Sequence, residues 1–530
     1  MINHRTIIIL ILLLGFVSGQ SKRDARSVAM AGAYSTIADG IFAVGYNPAM
    51  LAYQQDKPFM LQLFGLDFGI VGNWLSLSNL NAISGDTLYS KGERPGNPNY
   101  DNKTALLQEL EEGGGLNYFQ DLHLPMPVMN FSSGNMALTT NTLILQNYRF
   151  PYGLLQLILD GNADNPDIDM TMHYEVMGVT EYGFTFAIPF EQLSIGFTFK
   201  YLQGLFYFGI DPDSSSANLV TTDNALYGQG VYYFRQGIGG SGIGVDIGLV
   251  SKDINGWRFG FSIINALGSI TWNKENLTKD ILDGTDNIYG NDDDLFHFTW
   301  GDQILNDSMA VRYVYTIDSV NATTLSNSNL FTNNDPDEQI VYALDEDGNL
   351  PEFKMDYPSI FRLGMSYNMD DILISSDMWT GFTNTMFANK GWRWSMGIET
   401  TKFKSFPLRI GYAWGGSDFQ ELALGFGFHK GPVIFDFGFA FRNGIWIHSM
   451  KGINLSLQLT VTSLKSRKTK PEATDNGPTP EPVEEQTIET SAEEVEAEAE
   501  ETPVEEPPEE LLPDTEEKHL VCCKNDYSSL

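Results

Sequence analysis

Residues 433–442 read Val433-Ile434-Phe435-Asp436-Phe437-Gly438-Phe439-Ala440-Phe441-Arg442. Val433, Phe435, Phe437, Phe439 and Phe441 share one parity. Ile434, Asp436, Gly438, Ala440 and Arg442 share the other. Successive side chains of a β-strand point to opposite faces, so this stretch has one aromatic face and one mostly small or charged face. The alternation recurs over 193–201, where Leu193, Ile195, Phe197, Phe199 and Tyr201 oppose Ser194, Gly196, Thr198 and Lys200. It recurs again over 453–461, where Ile453, Leu455, Leu457, Leu459 and Val461 oppose Asn454, Ser456, Gln458 and Thr460. Runs of about nine or ten residues exceed the average soluble strand and match the length that a tilted strand needs to cross a membrane.

Working outward, fourteen such segments are expected, at about 59–70, 127–132, 135–146, 180–188, 193–208, 242–251, 257–267, 358–367, 371–381, 393–402, 407–415, 420–429, 433–443 and 452–462. Every second connection is short: 132–135, 189–192, 252–256, 368–371, 402–406 and 429–432. Several of the others are long, about 71–126, 147–179, 209–241 and 268–357. An even strand number with short turns on one side and long loops on the other is the outer-membrane barrel pattern. The fold class predicted is therefore all-β, a 14-stranded antiparallel transmembrane β-barrel. Trp257, Trp272, Trp392, Trp394, Trp414 and Trp446, at or near segment ends, are expected in interfacial girdles. The face opposite the apolar one predicts a polar lumen.

The flanks agree with a bacterial outer-membrane destination. Residues 1–19 carry Arg5, the apolar run 7–17 and small residues before Gln20, the pattern of a secretory signal peptide. Residues 463–530 open with Lys465, Arg467, Lys468 and Lys470 at the expected membrane edge. An acidic Pro/Glu-rich tail follows, in which 471–530 hold 20 acidic and 2 basic residues. Such a composition predicts a disordered tail, and strand parity places both termini in the periplasm. Cys522 and Cys523 are the only cysteines, which excludes a disulfide scaffold, a four-cysteine zinc site and an iron–sulfur centre. The net charge of −36 leaves no basic face for nucleic acid.

Residues 20–57 precede the first strand of the barrel region, 58–462. They contain Ala-Met-Ala-Gly-Ala-Tyr-Ser-Thr-Ile-Ala-Asp-Gly (29–40) and Gly45-Tyr46-Asn47-Pro48-Ala49-Met50-Leu51-Ala52. Small residues allow close packing inside a glycine-lined lumen, and the residue before a proline is biased to extended backbone. This block, with its Asn-Pro-Ala motif, resembles the N-terminal hatch of the FadL-type long-chain fatty-acid transporter superfamily, closest to its uncharacterised relatives and more distantly to PorV-type barrels. The resemblance implies a fourteen-stranded outer-membrane barrel with an N-terminal plug. It implies passive uptake of a hydrophobic small molecule, fatty-acid-like or aromatic, with Asp39, Asn47, Pro48 and Ala49 in the plug or gate. The alternative is a structural or secretion-associated anchor that binds a protein partner, such as a periplasmic protein held through the tail.

The inferred lumen face carries Lys200, Arg258, Arg362, Arg393, Arg409 and Arg442 against Asp67, Glu181, Asp246, Asp377, Glu399, Glu421 and Asp436. Near-neutral balance suits a salt-bridge network that holds the plug. A sharper reading gives one arginine to a ligand carboxylate, received by a two-pronged contact. Residues 150–162 suggest a short amphipathic helix that covers the mouth or receives a lipid-like substrate. The histidines show no metal-ligand spacing and no hydrolase or nucleotide motif occurs, so no enzyme activity, metal or cofactor is expected. Outer-membrane lipids and a hydrophobic ligand are the expected partners.

Overall fold

The computed structural model describes residues 24–463, apart from short gaps and most of 273–352. The signal segment and the acidic tail lie outside the described residues. Fourteen antiparallel strands close into a barrel. These are β1 (Phe59–Gly72), β2 (Gly115–Pro125 and Phe131–Ser133), β3 (Met136–Pro151), β4 (His173–Pro189), β5 (Leu193–Ile210), β6 (Leu226–Ser251) and β7 (Trp257–Ile264 and Ser269–Trp272). They continue with β8 (Phe353–Asp356 and Ile360–Met369), β9 (Ile372–Gly381), β10 (Arg393–Thr400), β11 (Leu408–Gly415), β12 (Gln420–Lys430), β13 (Val433–Arg442) and β14 (Gly452–Thr462). The ring shuts where β1 pairs with β14, from Met60 opposite Thr462 to Val71 opposite Gly452. Every backbone edge of the ring is thereby paired, which is the condition for strands in a hydrocarbon layer.

Side-chain phase follows the sequence. In β13 Asp436, Gly438 and Ala440 are buried, while Phe435, Phe437 and Phe439 are half-exposed on the outer face. Strand β14 alternates in the same sense throughout. Apolar side chains thus face outward, as a membrane-embedded barrel requires. Trp257, Trp392, Trp394, Trp414 and Trp446 are exposed. Trp272 departs from the girdle expectation: it is fully buried.

The second strand also departs from expectation. It starts at Gly115 rather than 127 and is interrupted between Pro125 and Phe131. Pro125 and Pro127 cannot donate to a ladder, which breaks the strand. Asn130 repairs the gap with its side chain. Its amide nitrogen donates to the carbonyls of Thr140 (3.0 Å) and Met126 (3.2 Å), and its Oδ1 accepts from Thr140 N (2.8 Å). Val128 and Met129 project from the break and are exposed.

Beyond the ring, helix α1 (Ala25–Ala29) and two 3₁₀ turns, Gly40–Ala43 and Pro48–Tyr53, contact strands on opposite sides of the barrel, so residues 24–54 occupy the lumen. Two further helices, α2 (Lys103–Glu112) and α3 (Tyr152–Leu159), lie at the long-loop end.

Candidate functional site

The plug is fixed by its own short helices and by the wall. Asp24 caps α1, accepting from Arg26 N and Ser27 N at 3.0 Å each, while Ser27 Oγ accepts from Asp24 N. Burial pushes the Asp24 carboxyl up to about 7; the nearby Asp67 and Asp436 carboxylates add to the shift, and the Ser27 backbone N–H opposes it. In the Asn-Pro-Ala motif, Asn47 Oδ1 accepts from Ala49 N (3.1 Å) and so caps the following turn, with Pro48 at its first position. The same side chain turns its nitrogen to the wall, donating to the carbonyls of Leu249 (2.9 Å) and Phe261 (3.3 Å). Ala49 O accepts from Ser194 Oγ at 2.9 Å. Tyr46 O accepts from Ser262 Oγ at 2.6 Å.

Glycines let the wall approach this closely. A Cβ at Gly196 would overlap the Pro48–Ala49 peptide, one at Gly248 the Asn47 amide, and one at Gly438 the Ala25 carbonyl. Gly364, Gly411 and Gly425 meet Ser35, the Met30–Ala31 peptide and Ala29 in the same way. Strand β9 breaks this row with a carboxylate: Asp377 Oδ2 accepts from Tyr34 N (3.0 Å) and Ser35 N (2.8 Å).

Most of the predicted lumen charges pair with one another. Lys200 Nζ lies 3.0 Å from Asp246 and donates to Asn265 Oδ1 at 2.8 Å, and Glu181, 3.9 Å away, accepts from Tyr357 at 2.7 Å. Arg393 pairs with Glu421 at 3.0 Å, and Arg442 stands 3.7 Å from the same carboxylate. Arg409 bridges Glu399 (2.5 Å) and Asp436 (2.6 Å). Into this last group the plug inserts Arg26, whose Nε and Nη2 each meet a Glu399 oxygen at 2.8 Å. Arg26 carried no sequence signal, because its partner lies 373 residues away.

Two arginines differ. Arg258 has no carboxylate within ion-pair distance among the described residues. It stacks on Tyr53 (4.6 Å) and donates to Thr36 O (3.4 Å), in a cavity of about 380 Å³ at the short-turn end that Asp39 also lines. Arg362 is 1% exposed and lies between the rings of Tyr46 (4.8 Å) and Trp379 (5.2 Å). Its Nε and Nη1 meet no hydrogen-bond acceptor among the described residues.

Above Arg362 one sector of the lumen wall is apolar, which corrects the expectation of a polar face throughout. Leu143, Leu145, Met177, Val179, Leu202, Ile264 and Ile360 form one buried cluster with Trp379 and Trp272. The alternating parity persists there, with the apolar residues on the lumen side. Trp272 lies against Gly204, Gly237 and Gly240, where any Cβ would collide with the indole. Its ring contacts Tyr207 (5.8 Å) and Phe353 (6.3 Å), and these two contact each other at 5.5 Å. The geometry is a buried apolar cluster with the lumen segment below it and, at its lower edge, an arginine that has no carboxylate within ion-pair distance among the described residues. His123 and Asp67 form a buried pair at 2.7 Å, and His429 meets Asp436 at 3.1 Å.

Residues 48–236 match a protein family of unknown function, DUF5723. No curated protein matches the chain. The chain resembles the FadL-type outer-membrane barrels. Among solved structures it is similar to the Ralstonia pickettii toluene transporter TbuX, at 11% identity over 83% of this chain and 98% of that one, with a TM-score of 0.44. A Pseudomonas aeruginosa FadL homologue is 11% identical over 84% and 99%, with a TM-score of 0.43. The monoaromatic hydrocarbon channel CymD is 12% identical over 83% and 97%, with a TM-score of 0.41.

Proposed function

We propose that this barrel passes hydrophobic small molecules across the outer membrane, and that the molecules it prefers carry an acidic headgroup. The reading rests on the chemistry of the lumen. A buried apolar cluster on the lumen side suits an apolar tail, and removing that tail from water supplies affinity of about 25 cal/mol per Å². Arg362, beside Trp379 of that cluster, carries the headgroup assignment. A guanidinium with unmet donors in a low-dielectric site is costly, and a carboxylate would satisfy two of them at once. The rings of Tyr46 and Trp379, 4.8 and 5.2 Å from its guanidinium carbon, fix the position of the group.

Titrating a fluorescent fatty acid and its neutral alcohol analogue into the purified barrel tests both parts. The wild-type protein is expected to bind both, the acid more tightly. Arg362→Met should erase the preference, a loss of about tenfold or more in acid affinity. Equal affinity of wild type and variant for the acid would remove the headgroup assignment. Absence of binding of either compound to the wild type would remove the whole reading.

A further inference from the structure

The strands of the ring differ greatly in length. Strands β3 to β6 have 16, 17, 18 and 26 residues, whereas β10 and β11 have eight each. Consecutive strands meet at the short-turn end, so the long ones form a taller sector of wall. At a rise of about 3.3 Å and a tilt of about 40°, the run from Leu193 to Phe208 climbs about 38 Å along the axis. The apolar band of an outer-membrane barrel is about 25 Å tall. Strands β3 to β6 therefore stand about 13 Å clear of it.

The outer face of this sector is layered. Within the band, Phe186 packs against Phe197 (5.7 Å) and Phe199 (6.2 Å). Above comes a polar stripe: the hydroxyls of Thr142 and Thr180 are 3.0 Å apart, and the Tyr182 hydroxyl donates to Gln203 at 2.8 Å. Above that stripe a second aromatic row begins. Tyr118 meets Tyr148 (5.4 Å), Tyr148 meets Tyr174 (6.0 Å), Tyr174 meets Phe208 (5.8 Å) and Phe208 meets Phe234 (5.9 Å). The row crosses β2 to β6 without a break. Its base is tied by amides: Gln146 accepts from Gln120 at 2.7 Å and its nitrogen reaches the Tyr174 hydroxyl at 3.4 Å.

We propose that this second row binds the saccharide headgroups of outer-leaflet glycolipids. The row continues the lipid-facing wall upward, so the molecules beside it are those whose chains already cover the band below. Hydrocarbon does not account for it, because the polar stripe and the height both place it above the acyl layer. Sugar rings do. Their C–H faces pack on aromatic faces, and their hydroxyls match the phenol and amide groups between the rings. The long-loop end faces outward in this assignment.

The test uses the full barrel in mild detergent with purified lipopolysaccharide, read by native mass spectrometry. Retention by wild type and about tenfold weaker retention by Tyr148→Ser/Tyr174→Ser, the effect of two aromatic contacts, is the expected result. Equal retention by both, or none by the wild type, overturns the proposal. A second measurement stands if the double variant fails to fold. The fluorescence of Phe208→Trp is compared with that of the wild type in vesicles whose acyl chains carry bromine. The emission that the new tryptophan adds is expected to be unquenched, and its strong quenching would put the row in hydrocarbon and overturn the assignment. A photo-cross-linker at Tyr148 that captures a polypeptide in cells would overturn it in favour of a protein partner.

Discussion

Arg26 of the plug forms a two-pronged ion pair with Glu399 of β10, each contact 2.8 Å, and Glu399 is shared with Arg409 of the neighbouring strand. One carboxylate thereby ties the lumen segment to the wall. Removing Arg26 leaves Glu399 with Arg409, an arginine it shares with Asp436, while the lumen segment loses its anchor.

Arg26→Met should therefore loosen the plug without unfolding the barrel. A cost at the low end of the range for breaking a buried pair, about 3 kcal/mol, is expected. A cysteine placed at Ala38 should become reactive to a water-soluble maleimide in the variant, while heat-modifiable gel mobility stays that of the wild type. Unchanged labelling would show that the glycine-lined wall alone holds the plug.

Docking of the plug should depend on pH through Asp24. Its carboxyl, ordinarily at 3.8, stands at about 7 because it is buried. The folded state keeps a proton that the unfolded state releases between those two values. Stability is highest below the unfolded value, falls as pH rises, and levels off above about pH 7. The full shift corresponds to about 4 kcal/mol at most. Asp24→Asn retains a cap acceptor and removes the titration, so its thermal unfolding should be flat from pH 5 to 8 where the wild type declines. A parallel decline in both proteins would move the effect to another group.

Glycine positions offer a paired comparison. Gly438→Ala drives a methyl group into the Ala25 carbonyl, whereas at Gly244 the nearest atom to an added Cβ is Lys200 Cβ at an ordinary 3.5 Å. Overpacking costs about 1–3 kcal/mol where backbone cannot yield. Gly438→Ala should lower the unfolding temperature or expose the plug, and Gly244→Ala should do neither. Indistinguishable unfolding curves would mean that the plug shifts to accept the methyl group.

Trp272 should govern access to the apolar cluster. Trp272→Ala removes the indole from its glycine shelf and its contacts with Tyr207 and Phe353. A loss of stability of about 3–5 kcal/mol accompanies truncation of a buried tryptophan. Ligand on-rates, measured by stopped flow with the fluorescent acid, should rise because the aromatic trio no longer closes. Slower or unchanged uptake would assign the trio a purely structural role.

The composition of the tail makes a separate prediction. Residues 471–530 hold 20 acidic and 2 basic side chains and repel one another. Proteolytic removal of this segment should leave the heat-modifiable mobility of the barrel unchanged. A barrel that unfolds after cleavage would show that the tail packs against it.

The ring of fourteen strands was legible in the amino-acid sequence because the phase of a strand is local. Phe435 and Asp436 must face opposite ways whatever surrounds them. The second strand was not read correctly: Pro127 stood inside the expected segment 127–132, whereas the strand runs from Gly115 and is broken at the prolines. The short turns were legible for the same reason. Which charge meets which was not. Six basic residues on the lumen face look alike in sequence, and only pairing and shear around the closed ring leave Arg362 without a carboxylate within ion-pair distance while Arg409 has two. The apolar cluster was hidden because Ile144 on one parity lies between Leu143 and Leu145 on the other, so alternation does not tell the inner face from the outer there. Trp272 shares a strand-end position with the girdle tryptophans, yet it turns inward because glycines of β5 and β6 leave room for its ring. Local periodicity fixed the wall, and contacts between residues tens to hundreds of positions apart decided what the wall encloses.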